Sequence, residues 1–147
     1  MMEPMLDVAE VRRRLVQKIE SARSEAAARR QAADRAAAEY GPFLENVATP
    51  VFRHLAMALR AEGHGFRLFT PAGSVRLASE RSADDYVELV LDASRQPIEV
   101  MGRVSHGRGS RVVTDERPLR EGAAVADLTE EDVLRFLLTS ITPFVER

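Results

Sequence analysis

The chain has 147 residues, 45% of them apolar and 30% charged, with a formal net charge of −2. That length suits one domain with an appendage, and so small a net charge creates no global field toward nucleic acid or an acidic membrane surface. Cysteine is absent, which excludes disulfides, thiolate metal sites and cysteine nucleophiles.

The N-terminal MMEPMLDVAEVRRR lacks an apolar run behind a basic one, so no secretory leader is expected. No stretch approaches the ~20 apolar residues of a membrane span. Cytoplasmic location is the expectation. Of the 21 basic residues, only Lys18 is a lysine.

Residues 6–40 read as one long helix. Alanine is dense, glycine and proline are missing, and strong helix formers fill nearly every position. Gly41-Pro42 predicts its end, because proline disfavours helical geometry in the residue before it. At 1.5 Å rise per residue such a rod is roughly 50 Å long. An apolar stripe runs along it through Val8, Val11, Leu15, Ile19, Ala22, Ala26, Ala33 and Ala37, with Arg30 filling one position. Its mean step, nearer 3.67 than 3.5, predicts a straight or slightly right-handed pairing. The first half of the stripe is branched and the second half alanine, and an isolated helix of this kind holds together poorly in water. A partner is therefore expected, most simply a second copy in a two-fold dimer.

Residues 43–62 form a second helical region, with Leu44, Val47, Val51, Leu55 and Leu59 on one face; a helix over 50–62 after a looser turn is the expectation. Thr49-Pro50 reads as an N-cap followed by proline at the first helical position; the alternative is a longer helix from near Pro42 that Pro50 kinks. Gly63 sits where a left-handed C-cap belongs.

From Phe66 the apolar period changes to two. Five strands are expected, at 66–69, 74–80, 85–92, 98–105 and 111–115, joined by short turns into an antiparallel meander. Val75, Leu77, Val87, Leu89, Leu91, Ile98, Val100, Val104 and Val112 would form the buried face, with Arg76, Glu88, Asp92, Glu99, Arg103, Arg111 and Asp115 on the wet face. A final helix is expected from Thr129, with Asp132 completing a capping box and Leu128 and Val133 forming a staple. Its apolar residues, Leu134 to Val145, surround most of the circumference, so it should be buried on more than one side.

Catalytic chemistry is not visible. His54, His64 and His106 have no metal-binding spacing. Ser105-His106 lacks an evident orienting carboxylate. Gly107-Arg108-Gly109-Ser110 joins two strands and contains no lysine, unlike a P-loop. Glu80, Asp84, Asp85 and Glu88 read as a solvated acidic turn. No cofactor or metal is expected, and an enzyme is disfavoured.

Between residues 10 and 39, eight basic residues face five acidic ones. Arg12, Arg13, Arg23 and Arg30 on the helix, and Arg108 at a turn, are the arginines placed to contact anions. Solvated intrahelical pairs such as Glu10–Arg14 and Glu25–Arg29 are the favoured alternative. The wet sheet face offers only Tyr86 for stacking, which disfavours RNA.

The fold expected is α+β: an association helix over 1–41, then a compact α-β5-α domain over 42–147. The function expected is a non-catalytic interaction protein, an adaptor or accessory subunit that self-associates through the first helix and offers the sheet domain to a protein partner. Nucleic-acid or anion binding by the arginine-rich helix, and a small-ligand pocket between sheet and last helix, are the alternatives.

Overall fold

The computed structural model describes residues 5–146. They form two compact units, one ending at Arg35 and one running from Ala36. Their architecture is α+β: a long N-terminal helix, a second helix, a five-stranded antiparallel sheet and a C-terminal helical region.

Helix α1 spans Val8–Phe43. It starts where it does because the Asp7 carboxylate accepts the Glu10 N–H at 2.8 Å, satisfying one of the free donors of the first turn. The expected stop at Gly41-Pro42 is not there, and both residues lie inside the helix. Pro42 lacks an N–H and crowds the preceding turn, but its neighbours hold the path. Ala36, Tyr40 and Phe43 all belong to the core of the second unit. The Tyr40 ring stacks on Phe43 at 6.3 Å, and its hydroxyl donates to the Gly73 carbonyl at 2.9 Å.

After Phe43 the chain widens into a π-helical turn, Leu44–Ala48, in which the Thr49 N–H donates to the Leu44 carbonyl. It leads directly into α2, Thr49–Ala61. Thr49 is thus helical (φ −60, ψ −44) and is not the cap that the sequence suggests. A wider turn here accommodates Pro50, which has no N–H to give and whose ring clashes with an ordinary helical carbonyl. Buried Ala48 and Phe52 anchor the passage. At the other end Gly63, at φ +88, takes the left-handed position. His64 N–H donates to Leu59 and Gly63 N–H to Arg60, the bond pair of a Schellman cap.

Strands β1 (Phe66–Phe69), β2 (Ser74–Ser79), β3 (Tyr86–Asp92), β4 (Glu99–Arg108) and β5 (Arg111–Pro118) follow, paired antiparallel in the order of the chain. Val75, Leu77, Val87, Leu89, Val100 and Val104 are buried in the core; Leu91 and Ile98 pack on its margin. Helix α2 packs on β1, β2 and the last long helix.

One strand departs from the expected pattern. Arg108 pairs with Arg111, so Gly109-Ser110 is a two-residue turn with positive φ at the glycine alone, the type II′ arrangement. That turn shifts β5 by one residue against the expected alternation. Val112 lies opposite Gly107 and Glu116 opposite Arg103, and these belong to the outer face. Val112 is 52% exposed and lies outside the core. Arg111 and Asp115, expected on the wet face, instead share the alternation of Val104.

The C-terminal region is also two pieces where one helix is expected. α3 spans Glu130–Ser140 and α4 Thr142–Val145, with Pro143 at the start of the second preventing continuation. The expected capping box is present, with Asp132 N–H donating to Thr129 Oγ1 and Thr129 N–H to Asp132 Oδ2. Leu128 and Val133 are both buried. α3 sits on the sheet at Gly102, where a Cβ would lie 2.2 Å from the Phe136 ring.

Gly102→Ala should therefore lower stability by about 1–3 kcal/mol through overpacking, read as a lower urea midpoint at unchanged slope. Burial raises the Tyr40 hydroxyl well above its ordinary value, helped by the nearby Glu88 charge. The folded state then holds this proton more tightly than the unfolded state, so the stability linked to it is complete below roughly pH 10 and declines as pH rises further. Tyr40→Phe should cost about 1 kcal/mol at neutral pH. Urea titrations of both proteins should show that difference shrinking above roughly pH 10.

Candidate functional site

Two surfaces stand out, an apolar stripe and a charged row. The first belongs to the unit ending at Arg35. Val8, Val11, Leu15 and Ile19 form its branched stripe, with exposures from 84% at Val8 to 40% at Ile19. Val16 lies exposed beside them. The stripe continues through exposed Ala22 and half-buried Ala26 and Ala33; Ala37, exposed, falls in the second unit. The steps are 3, 4 and 4 residues repeated, so Val8, Ile19 and Arg30 are equivalent positions eleven apart. A period of 11 in three turns keeps such a stripe nearly straight along the helix.

The helical arginines are exposed as well. Arg13 and Arg14 both donate to the Glu10 carboxylate, each through Nε at 3.0 Å. These bonds hold the Glu10 carboxyl below its ordinary range, Arg13 contributing most, and raise Arg13 in turn. Glu25 accepts from Ser21 Oγ at 3.4 Å. Arg12, Arg23 and Arg30 line or occupy the stripe. Arg108 belongs to the other unit, at the end of β4 beside the turn, opposite Arg111.

The second surface is the outer face of the sheet. Arg76, Glu88, Arg103 and Glu116 lie side by side on four neighbouring strands. Glu88 is 3% exposed and takes one guanidinium on each oxygen: Arg76 Nε at 2.9 Å and Arg103 Nη1 at 2.8 Å. Arg103 Nε also donates to Glu116 at 2.6 Å. Bonds to Glu116 first, and to Glu88 after burial's opposing effect, raise Arg103 above the usual arginine value. The Arg76 guanidinium lies 4.0 Å from the Tyr86 ring centre. Each charge is matched within the row, which makes it a brace across the sheet. Phe69 shares this face with Arg76 and is exposed. Tyr86 is thus not the only aromatic on this face, as strict alternation in Phe66-Arg67-Leu68-Phe69 implies by setting Phe69 on the side opposite Leu68.

The remaining candidates disperse. Ser105 Oγ donates to the Asp84 carbonyl, while the His106 ring meets Phe144, on the other face of β4. In the acidic cluster Asp85 accepts the Gly107 N–H, Glu80 is bonded by Arg60, and Glu88 belongs to the row. No group of three or more His, Asp or Glu able to hold a metal occurs among the described residues. Val133 and Leu137 of α3, fully buried, and the Phe136 ring over Gly102 take up the space between sheet and helix. Clefts of the second unit lie elsewhere, among them about 520 Å³ beside Arg67, Phe69 and Glu80, about 410 Å³ lined by Pro42, Val47 and Val125, and about 380 Å³ between α2 and α3, lined by Val51, His54 and Leu134. No helix among the described residues is long and apolar enough to cross a membrane.

Compared with protein-family models, curated proteins and solved structures, the chain matches none.

Glu88→Gln should destabilise the fold by about 1–3 kcal/mol. This is less than the ~3–5 kcal/mol of breaking a fully buried pair, because both arginines are about one-third exposed and water screens them. Urea unfolding of the two proteins checks it.

Proposed function

We propose that this is a non-catalytic interaction protein of the cytoplasm, an adaptor or accessory subunit. α1 self-associates as a two-fold coiled-coil dimer, and the sheet unit is offered to a partner protein. One observation carries the reading: Val8, Val11, Leu15 and Ile19 stand in solvent along one face of α1. Fully burying each such side chain contributes about 1.5–3 kcal/mol, and a lone helix gains most of its stability from such packing.

A second copy satisfies every one of these residues at once, since a two-fold interface presents the same patch from both sides. Anion binding by the arginines has weaker support. The local basic excess on α1 is small, and Arg13 and Arg14 are already engaged by Glu10.

Sedimentation equilibrium at micromolar concentration should give twice the chain mass of 16.3 kDa. Ile19→Glu places a charge in the seam and should weaken association at least ~tenfold, equivalent to 1.4 kcal/mol or more. A wild-type protein that sediments at the single-chain mass removes the proposal.

A further inference from the structure

We infer that the second copy lies antiparallel on α1, with the two-fold axis passing beside Ala22. This rests on the self-association proposed above and goes beyond it in fixing the direction of the partner. Two features of the stripe carry it.

The first is side-chain size. The branched residues occupy the N-terminal half, at Val8, Val11, Leu15 and Ile19, and alanines the other half. Interhelical distance follows the side chains at the contact, over about 8–10 Å. A parallel pair sets large on large at one end and alanine on alanine at the other, so the helices must splay. An antiparallel pair about Ala22 lays Ile19 beside Ala26 and Val11 beside Ala33, one large and one small at each level. The spacing is then uniform and each branched side chain finds a shallow seat.

The second is Arg30, the one charge within the stripe. Parallel pairing in register sets it against its own copy in the seam. Antiparallel pairing sets it against Leu15, where the aliphatic stem packs and the guanidinium reaches water.

The flanks do not decide between the two. Arg12, Arg23 and Asp34 border the stripe on one side, Lys18 and Arg29 on the other. A parallel pair sets Lys18 against Arg23 and Arg29 against Asp34. In the antiparallel pair each flank meets itself: Arg12 comes beside Asp34, Arg23 approaches its own copy and Lys18 approaches Arg29. All these contacts lie at the solvated edge, where such pairs count for little.

The absence of native cysteine makes the test direct. Full-length chains carrying Ala22→Cys, Val11→Cys or Ala33→Cys are oxidised with diamide and run on non-reducing gels, alongside sedimentation of each. Ala22→Cys should cross-link with itself. Val11→Cys should not, its two copies lying about 33 Å apart along the axis at 1.5 Å per residue. Val11→Cys mixed with Ala33→Cys should give a heterodimer, at least tenfold above either chain alone. Val11→Cys cross-linking to itself as readily as Ala22→Cys does overturns the orientation and leaves self-association intact. A dimeric mass with no cross-link at any of the three positions overturns the seam, and a single-chain mass overturns the underlying proposal.

Discussion

A missing side chain sets the spacing of the sheet unit. Because Gly102 carries no Cβ, the Phe136 ring can lie directly on the backbone of β4, the longest strand, next to the sheet's centre. That contact fixes α3 against the sheet, which brings Val133 and Leu137 into the core and places α2 on the remaining side. The capping box at Thr129 determines where α3 begins, and so which residue reaches Gly102. Sequence, cap and packing agree on one arrangement, the consistency expected of a chain with a single native state.

The outer face of the same sheet is held differently. Its order comes from alternating charge across four strands, with Glu88 at the middle and an arginine on either side. Cross-strand neighbours of opposite sign fix pairing register as well as adding stability. A one-residue slip of β3 or β4 separates these partners while also turning the apolar residues outward. The two faces therefore specify the same register by independent means.

Most of the secondary structure was legible because two periodicities alternate cleanly along the chain. Helix before sheet, five strands, sequential pairing and the Thr129 cap all follow from local pattern. Three features did not. The helical passage through Pro42 depends on Tyr40 and Phe43 reaching a core assembled from distant residues, and local propensity gives no sign of that. The phase of β5 depends on whether the turn takes an even or an odd number of residues, and Gly107-Arg108-Gly109-Ser110 contains a glycine suited to either. The last helix divides at Pro143, a signal present in the sequence and outweighed by the apolar pattern around it. For the candidate surfaces, the stripe on α1 was legible as a period. The charged row was only half legible, since Glu116 enters it through the shifted register of β5.

The sheet ends in a strand with no neighbour on its far side. In β5 the adjacent Val112 and Val113 are both exposed, and an open edge of this kind is a template on which further chains can stack. Flanking charges at Arg111, Asp115, Glu116 and Arg117, with proline closing the strand, interrupt that template. The strand that contributes least to the interior thus guards the molecule against amyloid-like growth, and neutral replacements in it would be felt first as precipitation rather than as lost stability.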